Sequence, residues 1–328
     1  MRPQVRIAAR IGFRRGPAIM AAHTKEGAMR PMTLLEPFRA LFYAPFYLAE
    51  ARGSFARQGI DLRMVTAGTT DRAAEMLLAG EADLAWSGPM RPLLLRSKDP
   101  GCTLRSFCAV VMRDPFLLLG PQPRPGFMLQ DLAGMTLGLV SEVPTPAWCL
   151  QGDFARAGID RRAIRTVTDR TMAENATDVA AGTLDVAQMF EPFACRVEDA
   201  GGAVWHAQAN RGLTAYTSFY ATEAGIAAKR PELMAMIRAM AESLAFIRSA
   251  PAEEIAKLIA PRFADVPPAH RVRAIARYQK LNLWDTGPAF PREAFETLGA
   301  AMLASGAISH VPPFELCVDQ GIVTEALS

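Results

Sequence analysis

The sequence predicts an α/β protein of two lobes, each a small open, mostly parallel sheet flanked by helices, with a helical C-terminal tail. Three observations predict it. A helix–strand–helix–strand order occurs twice at nearly one offset. Short runs alternate apolar and polar residues at strand length. From Leu233 onward, apolar residues recur at helical spacing. The repeat is direct: Phe55-Ala56-Arg57-Gln58-Gly59-Ile60-Asp61 returns as Phe154-Ala155-Arg156-Ala157-Gly158-Ile159-Asp160, 99 positions on (59 to 158). Leu78-Ala79-Gly80-Glu81-Ala82-Asp83-Leu84-Ala85 returns as Ala180-Ala181-Gly182-Thr183-Leu184-Asp185-Val186-Ala187, 102 positions on (80 to 182). Each copy reads as a β-α-β unit, with a parallel sheet and a right-handed crossover.

Taken in order, Met32 to Leu35 is a short buried strand, followed by a loop rich in proline and aromatics. Pro45 suits the first turn of a helix. Ile60, Leu62 and Met64 alternate with polar residues, so Gly59 to Ala67 is a strand. Thr70 or Asp71 caps the next helix, and Gly80 ends it. Ala82 to Trp86 is a strand that turns through Ser87-Gly88-Pro89 into another helix. Phe107 to Met112 and Phe116 to Gly120 are apolar strands, the second crossing between lobes. Met135 to Val140 opens the second sheet, and Thr217 to Thr222 is the return strand. Leu233, Met236, Ile237, Met240, Leu244 and Ile247 mark a long helix, with others near 255–263, 272–283 and 295–303. This tail is expected to pack on the first lobe. The division is then 1–31 as an N-terminal extension, 32–115 with 220–328 as the first lobe, and 116–219 as the second, with a cleft between. Asp61, Asp83, Asp160 and Asp185 fall at turns and read as turn and cap residues.

The 328 residues suit two lobes, and a net charge of +3 decides nothing. No block of Lys and Arg is interleaved with aromatics, which argues against nucleic acid. No apolar run approaches the roughly 18 residues of a spanning helix. Arg2, Arg6, Arg10, Arg14, Arg15 and Lys25 make the N-terminus basic, but Ile19 to Ala22 is shorter than the roughly 7–15 apolar residues of an export signal. A disordered extension, or a true start at Met29 or Met32, is expected. Cys102, Cys108, Cys149, Cys195 and Cys317 are odd in number and irregular in spacing, so free buried thiols are expected. His23, His206, His270 and His310 have no metal-ligand spacing. No metal or cofactor is expected, and no nucleophile–base motif can be named.

Phe42-Tyr43-Ala44-Pro45-Phe46-Tyr47-Leu48-Ala49, followed by Gly53-Ser54-Phe55 and Gly59-Ile60-Asp61-Leu62, resembles the opening of type 2 periplasmic solute-binding proteins. The branch is the one that handles alkanesulfonates, taurine, nitrate and thiamine-precursor pyrimidines. Leu78 to Ala85, Asp131-Leu132-Ala133-Gly134-Met135-Thr136-Leu137-Gly138 and Phe190-Glu191-Pro192-Phe193-Ala194 are similar to it in order and spacing. The resemblance covers about Met32 to Leu327. It implies two lobes that close on one small molecule and deliver it to the permease of an ATP-binding-cassette transporter; a monomer is expected. It also implies a periplasmic location, with the cytoplasm as the alternative because no export signal is evident. A thiamine-pyrimidine synthase branch uses a lysine and a histidine where this chain has Ser87 and Arg91. That branch also has a cysteine-rich stretch where this chain reads Leu213-Thr214-Ala215-Tyr216-Thr217-Ser218. Those residues are absent, which tells against the synthase. A cytosolic enzyme of cofactor or sulfur metabolism, or a ligand sensor, stays as an alternative.

Ligands of open α/β sheets bind beyond the carboxyl ends of the strands, and the candidate residues are those at strand ends. Phe38, Phe42 and Tyr43 can stack on a planar ligand, or simply pack in the core. Ser87 and Gly88 open a helix and can offer N–H groups and a hydroxyl to an anion, or serve as a cap. Arg91 can clamp an anion, or lie solvated on the surface. The loop containing Ser141, Glu142 and Thr145 is its counterpart in the second lobe, with Thr145 a natural cap. By resemblance this loop supplies donors to the ligand, although Glu142 repels a strongly anionic one. Glu191, again by resemblance, faces the cleft and accepts from an amine, or else serves its helix start. Tyr216 is a cleft wall or a hinge-packing residue.

Overall fold

Ten strands form two five-stranded sheets in the computed structural model, which describes residues 29–328. Positions 1–28 of the expected extension lie outside the described residues. The first sheet is begun by β1 (Arg30–Glu36). Then follow α1 (Ala44–Ala51), α2 (Ser54–Arg57), β2 (Ile60–Thr66), α3 (Thr70–Leu78), β3 (Leu84–Ser87), α4 (Met90–Lys98) and β4 (Leu104–Val111). The chain crosses to the second sheet with β5 (Leu117–Gly120). It continues through β6 (Thr136–Gly138), α5 (Thr145–Arg156), β7 (Arg165–Val167), α6 (Met172–Ala180), β8 (Val186–Met189), α7 (Phe193–Asp199) and β9 (Ala203–Ala207). It returns in β10 (Thr217–Thr222).

The sheet orders are β2-β1-β3-β10-β4 and β7-β6-β8-β5-β9. In each, three strands are parallel and the strand supplied by a crossing segment is antiparallel to both its neighbours. Each sheet therefore has four strands in one direction and one against. All four residues of β3 and of β8 are buried, as expected for strands covered by helices on both faces.

The internal repeat has a physical counterpart. The Asp83 carboxylate accepts a 2.7 Å hydrogen bond from the Thr33 N–H of β1, and Asp185 accepts one of 2.7 Å from Thr136 N–H of β6. Each aspartate joins the start of one parallel strand to the next. Gly80 and Gly182 take φ of +74° and +70° just after α3 and α6, a region that favours glycine. Asp160 caps a short turn through Arg162 N–H.

Several expectations shift. Pairing begins at Arg30, before residue 32, and Thr217 to Phe219 already pair in the first sheet. The cap of α3 is Thr69, whose hydroxyl accepts from Arg72 N–H at 3.1 Å, one residue before the expected Thr70. Thr145 is the first helical residue of α5, not its cap. The tail comprises α8 (Glu223–Ala228), α9 (Arg230–Ser249), α10 (Ala252–Leu258), α11 (Pro268–Lys280), α12 (Arg292–Ala304), α13 (Phe314–Cys317) and α14 (Gln320–Leu327). Helices α9 and α14 pack on the first lobe as expected, but α11 meets α7 and α12 meets α5 on the second. Gly152 allows the last approach: a Cβ there would lie 2.9 Å from Ala301 Cβ. Arg273 and Arg277 of α11 pair with Glu198 of α7, and Arg273 and His270 with Asp199. The tail thus grips both lobes.

Candidate functional site

The carboxyl ends of the parallel strands of both sheets face a common space. Its outer chamber, about 690 Å³, is lined from the loops after β1 (Phe38, Arg39), β2 (Gly68, Thr69), β6 (Glu142, Val143) and β8 (Phe190, Glu191). The segment Pro261 to Val266, between α10 and α11, closes one side. A smaller inner chamber of about 30 Å³ lies among Tyr43, Ser87, Gly88, Phe116, Thr145 and Tyr216. Phe38, Thr70 and Val143 line both chambers and form the neck between them. Thr70, Met90, Thr145, Met172 and Phe193 are the first residues of α3, α4, α5, α6 and α7, and each lines one chamber or both. Helix N-termini carry N–H donors and a positive field that favour an anion or a strong acceptor; those of α3, α6 and α7 are already met by Thr69, Glu142 and Glu191, while α4 and α5, at the inner chamber, have no side-chain cap.

The inner chamber is neutral and rich in hydroxyl groups. Ser87 Oγ and Tyr216 Oη are buried without a hydrogen-bond partner among the described residues. An unpaired buried polar atom costs free energy unless a ligand or water satisfies it. Burial holds the Tyr43 and Tyr216 phenols protonated well above their usual range, so both are available as donors. Gly88 is packed tightly: an added Cβ would sit 3.1 Å from Met90 Cγ and 3.4 Å from Tyr216 O. Four rings that line the chambers bridge the lobes. Phe42 meets Phe190 at 5.3 Å and Tyr216 at 6.3 Å, and Phe116 meets Phe190 at 5.1 Å and Tyr216 at 6.1 Å.

The charged residues are mostly committed. Arg91 lines neither chamber; it is buried, paired with Asp71 and bonded to Thr70 Oγ1 at 3.0 Å. Both expectations for it, clamp and solvated surface arginine, give way to a buried strut that holds the first turn of α3. Glu142 accepts from Met172 N–H at 2.9 Å, so its charge is used at the start of α6. Ser141 is exposed, its hydroxyl meets Glu142 at 3.5 Å, and it lines neither chamber. Glu191 is fully buried at the edge of the outer chamber. Its carboxylate lies 3.1 Å from Arg277 Nε and accepts from Cys195 N–H at 3.1 Å. Burial pushes its carboxyl up, with Arg277 opposing the shift. This matches the helix-start reading, since Cys195 lies in the first turn of α7. Arg262, at the rim, is bound to Glu50.

The geometry brings Phe38, Phe42, Tyr43, Ser87, Gly88, Thr145 and Tyr216 together and sets Ser141 and Arg91 outside. Phe190, Phe193, Arg196, Phe116, Val143 and Phe263 were not singled out from the sequence. The repeat contained a signal for Phe190: its offset of 102 carries Gly88 onto Phe190. Arg196 and Phe263 lie beyond the reach of any such rule, on a helix flank and a tail loop. Among the described residues no cluster of three or more His, Cys, Asp or Glu could hold a metal ion, and no helix is long and apolar enough to cross a membrane.

Residues 42–254 match the family model described as NMT1/THI5 like. YtlA of Bacillus subtilis (strain 168), which carries a binding-protein name, is 23% identical over 314 residues, covering 94% of this chain and 93% of its own. The structure of the periplasmic aliphatic sulphonate binding protein SsuA from Escherichia coli has a TM-score of 0.71 at 16% identity, covering 88% of this chain and 91% of its own. The structure of the desulfurization enzyme DSZB has a TM-score of 0.64 at 14% identity, covering 90% of this chain and 98% of its own. The fold is therefore shared by binding proteins and by at least one enzyme.

Proposed function

Because the chain belongs to the NMT1/THI5-like family, we propose that it is the solute-binding component of an ATP-binding-cassette importer, acting outside the cytoplasm and clamping a small polar or heteroaromatic molecule. The lobes divide at the two crossing segments, and the ligand sits between them. The observation that carries this reading is the convergence of helix starts from both sheets on one two-chambered cavity, with unpartnered Ser87 and Tyr216 hydroxyls at its inner end. In such a site, affinity comes from fixed dipoles, strengthened as lobe closure expels water. Ser87, Tyr43, Thr145 and Tyr216 then supply hydrogen bonds, Gly88 lets the backbone come close, and Phe38 and Phe42 supply apolar walls. The named sulfonate specificity of the similar Escherichia coli protein makes sulfonates the first class to test.

The test is a thermal-shift screen of the purified chain with sulfonates, nitrate, aminopyrimidines and aromatic acids. A ligand at about 100 times its Kd is expected to stabilise the fold by roughly 2.7 kcal/mol, and to be recovered unchanged after long incubation. No stabilisation by any class removes the receptor reading. A stabilising compound recovered as a product replaces it with an enzyme.

A further inference from the structure

We infer, on the basis of the receptor reading above, that the outer chamber is an aryl subsite and that the ligand class is an aromatic ring carrying one anionic group. The chamber's size is the first argument. About 690 Å³ suits a ligand of many heavy atoms; a small anion such as nitrate would leave most of it filled with water. The walls are the second. Phe38 comes from the first lobe, Phe190 and Phe193 from the second, and Phe263 from the tail, so a ring placed there meets aromatic surface from all three parts of the chain. Aromatic walls favour a planar, apolar body over a short alkyl chain.

Charge is the third argument. Of the charged groups lining the chamber, Glu142 and Glu191 are held by Met172 N–H and by Arg277, and Arg262 is held by Glu50. Arg196, exposed at the rim, has no carboxylate partner among the described residues and lies over the Phe193 ring at 5.1 Å. Arg39 reaches Glu36 only at 3.8 Å. Asp265 is the opposing acid at the rim, without a cation partner among the described residues. A stacked guanidinium keeps its N–H edge free for an oxyanion. The inner chamber, about 30 Å³, admits one water-sized group. The ligand therefore enters with its ring in the outer chamber and its anion at Arg196. Only a hydroxyl-sized substituent reaches Ser87 and Tyr216.

Isothermal titration of the full chain with naphthalene-2-sulfonate and ethanesulfonate, which share one head group, tests this. The aryl sulfonate is expected to bind at least roughly tenfold tighter. Phe193→Ala should cut that ratio several-fold, and Arg196→Ala should weaken both sulfonates about equally. Equal binding of the two sulfonates, or a ratio untouched by Phe193→Ala, overturns the aryl subsite and leaves the receptor reading standing. If neither sulfonate binds and pyrimidines do, the anionic class is overturned. If nothing binds, both readings fall.

Discussion

Arg211 Nη1 donates to Asp114 Oδ2 at 2.9 Å, and this bond ties together the two segments that cross between the sheets. The pair is almost completely buried, with side-chain exposures of 2% and 0%. Arg211 also binds Asp153 on α5, so one guanidinium serves both crossings and the second lobe. Burial pushes the Asp114 carboxyl up against the pull of Arg211, and Arg211 is held well above its ordinary value by its acidic neighbours despite its own burial. Arg211→Met would leave the buried Asp114 carboxylate without a counter-charge, while Asp153 keeps Arg156. The expected loss is about 3–5 kcal/mol, read from urea unfolding; a loss below about 1 kcal/mol would show that the pair is not what holds the crossing.

Gly152 sets how closely α5 and α12 pack. Gly152→Val would push a branched side chain into Ala301, where a Cβ alone already comes within 2.9 Å. The cost is expected at about 1–3 kcal/mol from overpacking, with the melting temperature falling accordingly. An unchanged melting temperature would mean that α12 can move away freely and does not fasten the second lobe.

Ser87→Ala separates a binding role from a structural one. The Ser87 hydroxyl is buried and unpartnered in the described residues, so its removal should leave unfolding stability unchanged or slightly raised. Affinity for a ligand reaching the inner chamber should fall. A stability loss above about 1 kcal/mol with unchanged affinity would make Ser87 a packing residue.

His206 gives the fold a pH dependence. Burial holds its pKa below the ordinary 6.5, so the folded state favours the neutral ring. The unfolded chain binds more protons below that value, so this contribution is complete above about pH 6.5 and is lost as pH falls through the folded pKa. Unfolding free energy measured from pH 8 to pH 5 should decline less steeply in His206→Asn. Equal slopes would rule His206 out as the source.

Much of the architecture was legible because periodicity and repetition report directly on backbone pairing. The echo at Gly80 and Gly182 located matching β-α-β units, and alternation around Ile60, Leu62 and Met64 placed β2. The site was legible only in part. Strand ends pointed to Phe38, Ser87, Gly88 and Tyr216, since that rule depends on topology alone. Arg91 was misplaced because its partner Asp71 lies 20 positions away, on another helix, and charge pairing across helices leaves no periodic trace. Glu191 presented the same difficulty: its Arg277 sits in the tail, whose attachment to the second lobe depends on α11 meeting α7. Residues such as Phe263 and Arg196 enter the cavity through tertiary contact and carry no local signature.

The placement of β10 sets an order of assembly. The five strands of the second sheet are contiguous, lying between Leu117 and Ala207, whereas the first sheet has a gap between β3 and β4 until Thr217 to Thr222 has been made. A chain emerging from the ribosome can therefore complete its second sheet while the first still exposes two unpaired edges. The first sheet then gains β10, and after it the covering helices α9 and α14. The lobe encoded first is the lobe finished last, and its waiting edges are where a nascent chain has most need of protection.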